Sequence, residues 1–184
     1  MKKGAMWKLK IFNQRPQGVF GLAMNMTKAP FNDKRIRKAM TLLFPRKKMI
    51  KELMYNQYLP TRSYHPGGIY ENPNNPKNNY DPVRALKLLA EAGYKTRDSN
   101  GLLVNEKGER LSFALLYSSP GIEKHFTIYQ ESLKRAGVQM NLELTRGDKL
   151  FGDVLKKNYE MASMAWGALQ FPNPETSLKS ELAD

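Results

Sequence analysis

From residue 111 to residue 166 the hydrophobic pattern switches period four times, and that alternation leaves few architectures open to the chain. Residues 111–117 form a mostly apolar run of strand length. Ile122, Phe126, Tyr129 and Leu133 then recur on one helical face until Gly137 stops them. Residues 138–145 read as a strand, 148–157 as a helix and 160–166 as a further strand. Such alternation predicts parallel strands joined by right-handed crossovers, and hence an α/β layer architecture. In open α/β sheets ligands gather at the carboxyl ends of strands. Here those ends are Tyr117-Ser118-Ser119, Thr145-Arg146-Gly147 and Trp166-Gly167-Ala168.

The first half supplies further elements. Residues 7–12 alternate apolar and polar and read as a half-buried strand, whereas residues 19–24 are more uniformly apolar and suit a central strand covered on both faces. Asn32 or Asp33 caps a helix in which Ile36, Ala39, Met40 and Leu43 share a face, and Pro45 ends it at the first turn of a second helix. Asp81-Pro82 opens a helix over 83–92 that Gly93 stops. Residues 102–104 and 111–117 flank a turn with Gly108 at positive φ, a plausible hairpin. Residues 56–79, rich in Pro, Gly, Asn and Tyr, form a loop of a length that is usually functional or disordered, and its tyrosines argue against disorder.

Composition narrows the function. The 184 residues contain no cysteine, which excludes disulfides, thiolate metal sites and a cysteine nucleophile. The two histidines, His65 and His125, stand far apart without ligand partners at helical or hairpin spacing, so no metal site is expected. The net charge is +13. Residues 1–51 hold fourteen basic residues and one acid, Asp33, while the remainder is balanced, so the whole surplus lies at the front. That asymmetry fits a solvated basic face or one side of a complementary interface. The alternative is a basic nucleic-acid-binding domain, although no helix-turn-helix, zinc or stacking pattern accompanies the charge. The N-terminus begins like a secretory signal, but Lys8 and Lys10 interrupt the apolar stretch such a signal needs.

Catalytic signatures are absent. Ser118 and Ser119 have no nucleophile elbow around them and read as caps for a helix starting near Pro120. Residues 98–101 lack the spacing of a calcium loop, and Gly67-Gly68 lacks the Lys-Ser/Thr of a phosphate loop. No enzymatic activity and no cofactor are expected. Trp166, where a strand opens into a loop, is either a lid on the core or a wall of a pocket; Tyr64, His65 and Tyr117 share that ambiguity.

Several segments carry a family pattern. Asn25 to Met40 contains Asn-x₄-Pro-Phe-x-Asp-x-Arg-Ile-Arg-x-Ala-Met, and Tyr80-Asp81-Pro82-x-x-Ala85-x-x-Leu88-Leu89-x-x-Ala92-Gly93-Tyr94 follows. Leu133-x-x-Ala136-Gly137-Val138-x-Met140 and Tyr159-Glu160-Met161 up to Trp166-Gly167 come next in order. This sequence of motifs resembles the family 5, oligopeptide-binding type of extracellular solute-binding protein of ABC importers. Asn13 to Gly18 points to one subgroup of oligopeptide importers.

The resemblance implies a lobe of a type II periplasmic-binding-protein fold, with a mixed sheet flanked by helices. It implies a peptide or peptide-like ligand, a cognate ABC permease, and a periplasmic or cell-envelope location for the full-length parent. Residues 1–184 would be a single, truncated α/β lobe without the first lobe and the returning C-terminal segment. Nucleic acid is not expected as a partner. Ligand contacts would come from Trp166, Gly167 and Ala168, with Tyr64, His65, Tyr117 and Asn25 as further candidates. Members of the family carry an acid after the tryptophan that pairs with the peptide amino group. Here Leu169 or Gln170 takes that place, and Gln170 suits a neutral, blocked or otherwise modified group.

Overall fold

The computed structural model describes residue 9 and residues 18–63, 65–66 and 69–167. The strand expected over residues 7–12, and the candidate residues Tyr64, Ala168 and Gln170, lie outside the described residues.

The first strand, β1 (Val19–Met24), is followed by α1 (Lys34–Leu42) and α2 (Arg46–Glu52). Asp33 caps α1, its side chain accepting the Arg35 N–H at 2.7 Å. Pro45 occupies the N-cap position of α2. Residues 53–81 contain no helix or strand among those described, as the Pro- and Gly-rich sequence predicts. The helix α3 (Pro82–Glu91) begins at Asp81, which accepts the Arg84 N–H at 3.0 Å, and ends against Gly93 at φ 101.

Two short strands follow, β2 (Thr96–Arg97) and β3 (Leu103–Val104). The expected hairpin forms as a short antiparallel contact, and β3 has a second partner besides it. The turn with Gly108 at φ 78 exists and is spanned by the bridge Val104–Arg110 and by bonds from the Asn105 N–H to the Glu109 carbonyl and from the Leu111 N–H to the Leu103 carbonyl, while the other edge of β3 pairs with β2. The cause is local: the Asp98 carboxylate accepts the N–H groups of Asn100 and Leu102, closing a tight turn that Gly101 completes at φ 78.

The alternating segment then runs β4 (Ser112–Tyr117), a 3₁₀ turn (Pro120–Ile122), α4 (Glu123–Ala136), β5 (Gln139–Leu144), α5 (Gly147–Leu155) and β6 (Met161–Trp166). Ser119 sits at the N-cap of the 3₁₀ turn, yet neither serine caps it through its side chain; the Ser119 carbonyl accepts the Ile122 N–H instead. Gly137 ends α4 at φ 86.

The four-stranded sheet has the order β1-β6-β4-β5. Both neighbours of β4 are parallel to it, as the alternation predicts, while β1 runs antiparallel to β6 and makes the sheet mixed. In one respect the structure differs from the expectation: among the described residues β1 stands at the end of the sheet and not inside it. Among the described residues it has β6 on one side only, and Phe20 is 54% exposed. Its apolar run reflects half-burial on each face, since Leu22 and Met24 pack on the main core while Ala23 stands opposite the buried Ala162 of the second.

The faces of the sheet are covered unequally. The main core lies on one side, where Phe113, Leu115 and Met161 meet Phe31, Ile36 and Met40 from the α1 region, Leu89 of α3, and Phe126, Tyr129 and Leu133 of α4. On the other side, among the described residues, α5 covers a smaller cluster of Leu116, Leu150 and Ala162. Two buried polar groups on α4 tie the layers together. Tyr129 donates to the Met40 carbonyl at 3.0 Å and Ser132 to that of Leu43 at 2.8 Å, satisfying acceptors that the end of α1 leaves free.

Candidate functional site

The strand register locates an opening in the sheet. Leu115 pairs with Met161 and Leu116 with Ala162, so β4 ends level with Ser163 while β6 runs three residues further, about 10 Å at strand rise. Along that overhang β6 keeps β1 on one side, with Val19 opposite Trp166. On the other side, from Met164 onward, no described strand lies beside it. The notch is bounded by the loop after β4, at Ser118 and Ser119, and by the loop after β5, at Thr145 and Arg146. An extended ligand can enter such a notch and use backbone groups of β6 in place of the missing strand.

Trp166 closes the end of this overhang. It shares a face with Ala162 and Met164, the face on which α5 packs, and is half-buried. Its ring crosses the β1 backbone at Gly21, where an added Cβ would stand 3.3 Å from the indole Cζ3. A glycine inside a strand often marks a close approach of this kind. Gly21 was not singled out by sequence reasoning, and its position in an apolar strand was the available signal. Gly167, exposed, follows directly.

The other candidates are spread over the molecule. Asn25 lies at the opposite end of the sheet, where β1 leaves β6, and is 3% exposed. Its Nδ2 donates to the carbonyls of Lys157 at 2.9 Å and Tyr159 at 2.8 Å, and its Oδ1 accepts from the N–H and hydroxyl of Thr27. These bonds direct its side chain at the chain's own backbone. Tyr117, 3% exposed, faces the main core, on the side of the sheet away from Trp166. Its hydroxyl donates to Glu123 at 2.7 Å, its ring packs edge-on against Phe126, and burial together with the Glu123 carboxylate pushes its pKa up to about 12. His65 sits in the long loop with its N–H on the Ser63 hydroxyl. Of the proposed set, Trp166 and Gly167 are therefore the described residues brought together at the notch.

Glu160, which sequence reasoning did not single out, supports the same strand. Its carboxylate accepts the Ala114 N–H at 2.6 Å, pinning the start of β6 to β4. A second concavity, of about 620 Å³, runs along the other face of β1 between Phe20, Leu22, Met49, Ile50 and Phe126, and Trp166 takes no part in it. Among the described residues no cluster of three His, Asp or Glu side chains is placed to hold a metal, and no helix is long and apolar enough to cross a membrane.

Comparison with known proteins supplies a context for this notch. YejA of Escherichia coli strain K12 is 26% identical over 90% of the chain and 33% of its own length. The periplasmic oligopeptide-binding protein OppA of Salmonella typhimurium is 30% identical over 88% of the chain and 29% of its own length. The oligopeptide-binding protein AppA of Bacillus subtilis, solved with a nonapeptide, superposes with a TM-score of 0.81 at 22% identity, covering 91% of this chain and 34% of that one. The chain thus spans about a third of the length of the relatives it matches. Over residues 2–182 it matches the bacterial extracellular solute-binding proteins, family 5 Middle, and it belongs to that family.

Proposed function

We propose that the chain is one lobe of a solute-binding protein that captures a peptide or peptide-like ligand and delivers it to an ABC permease, acting in the periplasm or cell envelope and without catalysis. The observation that carries this reading is the overhang of β6 past β4, with Trp166 at its end. A strand edge offers N–H and C=O groups in the spacing of any peptide backbone and so accepts varied sequences, while the indole supplies a broad apolar surface for one side chain. The relatives that are themselves oligopeptide-binding proteins support the same ligand class. In this reading Trp166, Gly167 and Ala168 contact the ligand. Gln170, in the place of the family's acid, meets a neutral or blocked end rather than a free ammonium. Tyr64 and His65 remain candidates from the loop, whereas Asn25 and Tyr117 act on the frame. A second lobe would close the cleft by a hinge motion.

The test is retention. The chain purified without denaturation and then unfolded is expected to release peptides detectable by mass spectrometry, and W166A, with an unchanged circular dichroism spectrum, should release several-fold less. A preparation that releases no peptide, or equal release from W166A, would overturn the reading.

A further inference from the structure

The front-loaded positive charge is not spread evenly over the surface. Arg46 and Lys47, at the start of α2, face Arg62 and Lys77 from the long loop across a hollow of about 230 Å³, room for about eight waters. Among the described residues Pro60, Asn78, Asn79 and Tyr80 complete its wall, and none of those lining it is acidic. Nor is any carboxylate within ion-pair distance of these four cations among the described residues: the ion pairs found there involve Asp33, Glu52, Asp98, Asp148 and Asp153 with other bases.

The hollow has a built frame. The Arg46 guanidinium donates to the Thr61 carbonyl at 2.8 Å and so fixes the loop that carries Arg62. On the opposite wall the Asp81 N–H donates to the Leu42 carbonyl at 2.9 Å, holding residues 77–80 against the end of α1, with Asn78 turned at φ 39. Burial lowers the pKa of Arg46, and no carboxylate offsets that cost. Four like charges around one concavity repel each other, and a partly desolvated guanidinium without a counter-charge is unfavourable, so a bound anion would relieve both.

We propose that this hollow is a binding site for a phosphate-type oxyanion, separate from the strand-end notch. Two guanidinium groups offer forked N–H pairs that match tetrahedral oxygens, the two ammonium groups add charge, and the asparagine amides can donate to remaining oxygens. The same chemistry is presented by a free phosphate or pyrophosphate ion and by the phosphate of an anionic phospholipid.

Thermal unfolding of the full chain with added pyrophosphate, against sodium chloride at matched ionic strength, tests the site. Pyrophosphate should raise Tm by about 3–5 °C at about ten times its Kd. The double variant R62Q/K77Q, which leaves the Arg46 bond to Thr61 in place, should lose that shift. K87Q/K95Q/K124Q, which removes exposed charges elsewhere, should keep it. Sedimentation with phosphatidylcholine vesicles containing phosphatidylglycerol then separates the sources. Binding to vesicles that pyrophosphate displaces assigns a lipid headgroup, and a shift with pyrophosphate but no vesicle binding assigns a free ion. No shift beyond that of sodium chloride, or equal loss in the control variant, would overturn the proposal.

Discussion

Asn25 ties its strand to residues 132 and 134 positions away in sequence, through two part-buried bonds to the carbonyls of Lys157 and Tyr159. Lys157 has a φ of 55, a left-handed conformation that costs a non-glycine residue about 1 kcal/mol. N25A is therefore expected to lower stability by about 2–3 kcal/mol in urea titration while leaving peptide retention of the folded fraction unchanged. A loss of retention without a loss of stability would instead make Asn25 a ligand contact. Tyr117 gives a pH signature. Its pKa is raised in the folded state, first by burial and then by Glu123, so the unfolded chain releases the phenolic proton first as pH rises. The contribution is complete below about pH 10 and is lost towards pH 12, at up to about 1.4 kcal/mol per pH unit. Y117F should flatten that part of the alkaline stability profile. Both residues were read from the sequence as possible ligand contacts, because polarity beside a turn looks the same whether the side chain meets a ligand or the chain itself.

Elements were more legible than residues. The α1 cap at Asp33, the α3 start at Asp81-Pro82 and the α4 stop at Gly137 depend on neighbours within four positions, and all three lie where the pattern puts them. Gly137 shows why the stop favours glycine. Its φ is 86, and a Cβ would run into the guanidinium of Arg97, which itself donates to the Ala136 and Gly101 carbonyls. G137A should cost about 1 kcal/mol by thermal unfolding, and adding R97A, which removes the guanidinium contact but leaves the Gly101 carbonyl oxygen 3.0 Å from the new Cβ, should recover part of the loss. The pairing of elements was less legible. An apolar run such as β1 can be a central strand or an edge strand packed on both faces, and the sequence carries no mark of which. Likewise β3 pairs with β2 through the Asp98 turn as well as touching residues 110–111 before β4, and the sequence carries no mark of the first pairing.

For the whole molecule the dominant electrostatic fact is a charge of +13 concentrated in the first 51 residues. Self-repulsion of this kind destabilises the compact state and is screened by salt, so raising sodium chloride from about 0.01 M to about 0.15 M, where the Debye length falls from roughly 30 Å to 8 Å, should raise Tm. Absence of any rise would mean that the exposed ion pairs, also screened, balance the repulsion. The amino-acid sequence by itself determined the α/β class, most helix boundaries, the carboxyl strand ends as the place to look, and the excess of positive charge. Each follows from periodicity, capping or composition, properties that act over a few residues or need only counting. Tertiary structure alone decided that β1 ends the sheet among the described residues, that β6 outruns β4, that Trp166 lies over Gly21 on the face away from Tyr117, and that Arg46, Arg62 and Lys77 line one hollow. Those outcomes depend on strand register and on which distant segments share a core, and long-range packing settles both.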